Sequence, residues 1–277
     1  METANEGTGP VRQDVLWASG AMYEPYVGRW SRLVAPNFIA WLDISPGKRW
    51  LDVGCGTGAL SASILGHAEP REVVGIDPSP GFIAYAQEHA RDSRARFEVG
   101  DAQALPFPDG AFDAAGSGLV MNFIPEPDLA VREMTRVTRP GGAVAAYVWD
   151  YAGRMELMRH FWDAAAALDP AAKDLDEGRR SPLCQPGPLG DLFRGAGLAG
   201  VEVLAIDVPT VFRDFDDYWS PFLGGQAPAP RYAMSLDEDH RAALRERIRA
   251  GLRFEPDGSV HLIARAWAVR GLRDRMV

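Results

Sequence analysis

The sequence predicts an α/β domain: short apolar strands alternate with helical stretches, turn residues punctuate each change, and 277 residues supply enough chain for one large core. Gly (29) and Pro (21) are frequent enough to favour many tight connections over long uninterrupted helices. A hydrophobic fraction of 47% argues against general disorder.

Taken in order, the first dozen or so residues are polar, and from Trp17 to Leu42 the apolar spacing is helical. Trp30, Leu33, Val34, Phe38 and Trp41 form one stripe. One or two helices are expected there, as a helical unit over residues 1–45. After Pro46-Gly47, strands are predicted at Trp50–Val53, Glu72–Ile76, Ala95–Val99 and from Phe112 to Gly116. A fifth follows the Pro140-Gly141-Gly142 turn at Ala143–Trp149. Helices are expected at Ala59–Leu65, Phe82–Ala90 and Asp128–Val137. This order implies a largely parallel, doubly wound sheet with helices on both faces.

The rhythm then changes. A helix is expected at Leu189–Ala196, stopped by Gly197, with strands at Val201–Ile206 and Val260–Val269. Two excursions, at about 151–186 and 211–257, carry helices at Met155–Leu168 and Leu236–Leu252, the second begun by a Ser235/Glu238 capping box. Insertions of this length in an α/β domain commonly cover a site.

The chain carries 29 basic and 38 acidic residues, a net charge of −9, which disfavours a nucleic-acid partner. Two cysteines, Cys55 and Cys184, are too few for a disulfide framework and fit a reducing compartment. With no leader-like start and no long apolar run, a cytoplasmic protein without a membrane partner is expected, as monomer or homodimer and without a metal.

The most informative segment is Arg49–Leu60, RWLDVGCGTGAL. A strand runs straight into Gly54, Gly56 and Gly58, which let the backbone turn sharply and approach a ligand at the start of the next helix. The spacing also satisfies the dinucleotide pattern, so the loop alone leaves the ligand open. Asp52 bears on the choice. Beside a pyrophosphate its carboxylate would meet like charge, whereas beside the ammonium of S-adenosylmethionine it is useful. Asp77, with Pro78 after it, ends the second strand where a carboxylate can accept both ribose hydroxyls. Asp101 ends the third, at the adenine edge, with the amides of Ala102 and Gln103 available to a ring nitrogen.

Together LDVGCGTG, VVGIDPSPGFIAYAQ, GDAQALPFPDGAFD and REMTRVTRPGG, spanning about Arg49 to Trp149, resemble the class I S-adenosylmethionine-dependent methyltransferases, in particular the small-molecule type 11 group. The resemblance implies a Rossmann-like seven-stranded sheet with an antiparallel last strand inserted beside the sixth, and S-adenosyl-L-methionine as cofactor. It implies that Ser117 and Gly118 pass the methionine end, and that Tyr23, Arg29 and Trp30 close over the cofactor. SGLVMNFIPEP departs from the Asn/Asp-Pro-Pro-Tyr/Phe element of methyltransferases acting on base amines or glutamine amides, leaving Asn122 and Phe123 as pocket residues. The acceptor is expected to be a small molecule methylated at O, N or C. A nicotinamide-dependent oxidoreductase, a cofactor-binding protein that transfers no methyl, and a macromolecule methyltransferase are the alternatives.

A base is useful if the acceptor is a phenol, a hydroxyl or an acidic carbon. His160 and Tyr151 are the candidates, with Asp150 and His240 behind them. Phe161, Tyr218 and Trp219 are candidate aromatic walls for a flat acceptor.

Overall fold

The computed structural model describes residues 29–224 and 227–274. A seven-stranded sheet in the order β3-β2-β1-β4-β5-β7-β6 forms its centre. The strands are β1 (Arg49–Val53), β2 (Glu72–Asp77), β3 (Ala95–Val99), β4 (Phe112–Gly118), β5 (Thr138–Trp149), β6 (Leu198–Phe212) and β7 (Val260–Arg273). β1 to β5 pair in parallel, and β7 enters antiparallel between β5 and β6. Buried on both faces, the central strands read as continuous apolar runs such as Glu72–Asp77, where all residues but the first are buried.

The connecting helices are α1 (Arg29–Leu42), α2 (Ala59–His67), α3 (Pro80–His89), α4 (Pro127–Val137) and α7 (Pro186–Gly195). Ser79 caps α3 by accepting the Phe82 N–H at 3.4 Å, with Pro80 in the first turn where its missing N–H costs nothing. In α1, Val34 and Phe38 are fully buried, and Phe38 packs on Tyr147 of β5 at a ring distance of 4.8 Å. Leu33, assigned above to the same stripe, is 41% exposed because it faces away from the sheet.

Several boundaries differ from expectation for local reasons. Pro140-Gly141-Gly142 does not precede β5; it bulges out of it, the register stepping from Phe112↔Thr138 to Ala114↔Ala143. The last two strands are longer than predicted. β5 makes its final pairing at Trp149↔Ala266, yet β6 and β7 continue to Phe212↔Val260, forming a ribbon beyond the carboxyl edge of the sheet. The excursions pack beside that ribbon. The first holds α5 (Glu156–Leu168) and the one-turn α6 (Glu177–Arg180); the second holds α8 (Phe215–Trp219), α9 (Pro228–Ser235) and α10 (Glu238–Gly251). α9 and α10 both pack on α5.

The capping box is corrected: Asp237 caps α10 by accepting the His240 N–H at 2.8 Å, while Ser235 ends α9 and donates to Tyr232 O. Asp at the turn competes better for the free amide because its carboxylate also meets the positive end of the helix. No helix among the described residues is long and apolar enough to cross a membrane.

Candidate active site at the carboxyl edge of the sheet

β1 ends in a loop built on positive φ: Gly54 at 70°, Gly56 at 52° and Gly58 at 92°. The amides of Gly54 and Cys55 both donate to Ile76 O, at 2.8 and 3.0 Å, which ties the loop to the tip of β2. Gly54 has a second requirement, since a Cβ there would stand 2.5 Å from Val120 Cγ1 in the loop after β4. Gly56 faces open space. Gly58 begins α2 with no side chain capping its amides, the arrangement that leaves N–H groups for a ligand.

Asp52 lies beneath this loop with no exposed surface. Its register partners are Gly75 on β2 and Gly116 on β4. Phe97 occupies the space a Cβ at Gly75 would take, and Leu60 lies beside Gly116, so two apolar side chains wall the carboxyl from water. Oδ2 accepts the Ser61 hydroxyl at 2.7 Å, and Oδ1 has no hydrogen-bond partner among the described residues. Burial pushes Asp52 up to about 7, the Ser61 hydroxyl and amide oppose that rise, and Asp77 adds to it.

Asp77 is held by its own turn: Oδ1 accepts Ser79 N–H at 2.9 Å and Oδ2 accepts Gly56 N–H at 3.0 Å. Each oxygen keeps a lone pair for a further donor. Burial raises its pKa, and the two amides pull it back. Pro78 is exposed beside it. At the next tip, Asp101 is exposed and its Oδ1 accepts Gln103 N–H at 2.9 Å, over a buried Ala102. The Gln103 amide oxygen accepts the Glu126 N–H at 3.1 Å, so this tip is tied to the start of α4.

At the end of β4, Ser117 is fully buried with a hydroxyl that has no partner among the described residues, and Gly118 gives room to a neighbour: a Cβ there would stand 2.6 Å from Tyr147 Oη. Leu119 then adopts a φ of 60°, anchored by its N–H to Tyr147 O at 2.8 Å. Backbone strain in a β-tip loop marks a position held by its surroundings. Sequence reasoning missed Leu119, Val120 and Tyr147, since neither a left-handed Leu nor the partner of a glycine leaves a local pattern. Asn122 and Phe123 follow in a short 3₁₀ turn and are half-buried.

A family model described as a methyltransferase domain matches residues 51–146, the stretch that holds the glycine loop and Asp52, Asp77, Asp101, Ser117 and Gly118. Residues 51–146 are therefore similar to a methyltransferase domain. The 2-methyl-6-phytyl-1,4-hydroquinone methyltransferase of a Synechocystis strain is 30% identical over 187 residues, covering 66% of this chain and 57% of the relative. The demethylmenaquinone methyltransferase of a Thermus thermophilus strain is 42% identical over 97 residues, 34% of this chain and 44% of that protein. The chain thus spans about half the length of these curated relatives. Among solved structures, the YcgJ protein of Bacillus subtilis aligns with a TM-score of 0.58 at 18% identity, covering 88% of this chain and 99% of that one, a likeness in fold.

The methyltransferase domain does not gather all the predicted residues at its strand tips. Tyr23, and the side chain of Arg29, lie outside the described residues. Trp30 is buried against Phe212 of β6 at 5.4 Å. Phe161, Tyr218 and Trp219 form the packed interior of the excursions: Phe161 stacks on Phe222 at 4.5 Å, Trp219 lies 5.9 Å from the same ring, and the Tyr218 hydroxyl donates to Leu157 O at 2.8 Å. Their rings are buried and packed on neighbouring side chains. His160 is half-buried on the stripe of α5 that carries Glu156 and Asp163, and burial lowers its pKa. Tyr151 is buried just beyond β5. Asp150 is spent on its own turn, accepting the amides of Gly153 and Arg154 at 2.9 Å each, and His240 is exposed against Asp237.

A groove of about 540 Å³ lies at the opposite, amino edge of the sheet, lined by Lys48, Asp113, Arg139, Glu202 and Arg270. Arg139 pairs with Asp113 and Arg270 with Glu202, so its charges are largely satisfied away from the loop.

Replacing Asp77 by Ala is expected to weaken binding of S-adenosylhomocysteine at least tenfold by calorimetry, since the substitution frees the Gly56 amide and removes a carboxylate able to accept ribose hydroxyls. Unchanged affinity would remove Asp77 from the ribose site.

Proposed function

We propose that this protein transfers a methyl group from S-adenosylmethionine to a small, largely apolar acceptor bearing a hydroxyl group. The observation that carries the reading is Asp52 Oδ1: a buried carboxylate oxygen without a partner among the described residues, near the end of β1 under a glycine loop. Such an atom is costly unless a donor or a positive charge arrives. A pyrophosphate would worsen its situation, and an ammonium would relieve it.

In this reading Gly54, Gly56 and Gly58 make room for the cofactor, Asp52 faces its positive amino-acid end, Asp77 accepts its ribose hydroxyls, and Asp101 with the Ala102 and Gln103 amides takes the adenine edge. Ser117 brings an unpartnered hydroxyl to the methionine end, beside Gly118. When bound, the cofactor supplies an electrophilic methyl carbon on a sulfonium. The chain's part is alignment and exclusion of water: the surroundings of the β4 and β5 tips are apolar, through Leu119, Met121, Met155 and Met158, all buried. The hydroquinone named for the Synechocystis relative, an aromatic ring bearing hydroxyls, suits such an environment. A net charge of −9 supports a small acceptor over nucleic acid.

Thermal unfolding with S-adenosylmethionine, S-adenosylhomocysteine and NAD(P)H in parallel tests the reading. A bound ligand at 100 times its Kd adds about 2.7 kcal/mol. Stabilisation by both sulfur nucleosides and not by NAD(P)H is the expected result; stabilisation by the nicotinamide alone would overturn it.

A further inference from the structure

The first excursion closes with α6, whose first residue, Glu177, is a glutamate only 8% exposed. The indole N–H of Trp162 donates to its Oε2. Oε1 has no hydrogen-bond partner among the described residues and no contact with solvent. The amide of Ala229, in the first turn of α9, faces the carboxyl group and favours its charged form without reaching hydrogen-bond geometry to Oε1.

This carboxyl is held in place from several sides. Asp176 starts the turn by accepting Gly178 N–H at 2.8 Å and is gripped by both terminal nitrogens of Arg159, at 3.0 and 2.5 Å. Gly178 sits so close to the backbone after β5 that a Cβ would stand 2.9 Å from both Tyr151 O and Ala152 Cα. The 3₁₀ turn Pro182–Cys184 then packs against Met121–Phe123, beyond β4. Glu177 is therefore carried on a rigid turn braced against the tips of β4 and β5, at the edge of the sheet that holds the glycine loop.

We propose that Glu177 is the base for the acceptor: the acceptor hydroxyl donates a hydrogen bond to Oε1, and as that O–H bond breaks the proton passes to Oε1 while its electron pair stays on the acceptor oxygen. The inference rests on the methyltransferase reading above. A buried polar atom left unpaired in a native protein calls for an explanation, and an incoming hydroxyl supplies one. Burial raises the Glu177 pKa to about 7, where a base has both ionised population and proton affinity. The groups facing it are its own backbone amide and the Trp162 indole, which favour the charged form, Asp176 from its own turn, neutralised by Arg159 of α5, and the Ala229 amide of α9.

The test uses the full chain, radiolabelled S-adenosylmethionine and three probes kept reduced: 1-naphthol, 1,4-naphthohydroquinone and 2-methylhydroquinone. In the wild type, kcat is expected to rise with pH through about neutrality and then level. Glu177→Gln keeps an oxygen for the Trp162 N–H, so packing and S-adenosylhomocysteine affinity should hold. Its kcat should fall at least 100-fold with KM changed less than threefold, and the rising limb should vanish. Glu177→Asp should retain the limb at reduced kcat, and serves as the deciding variant if Glu177→Gln does not fold. Wild-type kcat and an unchanged limb in either variant would overturn the assignment. Methyl transfer by the wild type to none of the three probes would instead overturn the functional reading, and this assignment with it.

Discussion

Asp52→Asn is expected to separate stability from cofactor binding: affinity for S-adenosylhomocysteine falls at least tenfold at pH 8, while the variant is at least as stable as the wild type there. An aspartate raised from its ordinary 3.8 to about 7 holds its proton in the folded state by about 4 kcal/mol more than in the unfolded chain. The sign follows from that. The folded protein binds the proton more tightly, so stability is greatest below the unfolded pKa and declines as pH rises from about 4 to about 7, where the buried carboxyl must ionise. Asparagine has no proton to lose, so its Tm should slope less over that window, with Glu177 and Asp77 contributing to the slope that remains. Melts at pH 5 and pH 8 with calorimetry at pH 8 measure both quantities. A variant that keeps the full slope and binds normally would show that Asp52 is neither dry nor near the ligand.

Gly54→Ala should produce the other large effect. A Cβ at Gly54 meets Val120 Cγ1 at 2.5 Å and the Cβ and Cγ2 of Val120 at 3.0 Å, and the residue sits at a φ of 70°. The left-handed backbone costs a residue with a Cβ about 1–2 kcal/mol. Displacing Val120 adds an overpacking penalty of about 1–3 kcal/mol. Urea denaturation should therefore show a loss of about 3 kcal/mol, and S-adenosylhomocysteine binding should weaken at least 100-fold because the loop moves. Gly56→Ala meets no neighbour within 4 Å and should show only the backbone part. Adding Val120→Gly to Gly54→Ala should recover the steric part and leave the rest. Equal losses at Gly54 and Gly56 would mean that the contact with Val120 is without consequence.

These two positions mark how far the site could be read beforehand. The loop glycines and the acids at the tips of β1, β2 and β3 stand in a pattern of strand, turn and helix that is local along the chain. Ala95–Val99 matches its predicted span, and β1, β2 and α2 differ only at their ends, because strand and helix periods are themselves local. Val120 against Gly54 and Tyr147 against Gly118 join segments far apart in sequence, which no spacing reports. The aromatic residues of the excursions were legible as apolar, but a ring lining a cavity and a ring filling one have the same sequence.

By itself, then, the order of residues determined the alternation of strand and helix, the glycine turn and the row of acids, since each depends on neighbours a few positions away. Tertiary structure alone decided that Asp52 is dry, that Phe161 and Tyr218 are packed, and that one Glu177 oxygen is buried without a hydrogen-bond partner among the described residues. Burial and missing partners are properties of what the rest of the chain brings near a side chain, and water is excluded only once those distant segments have met.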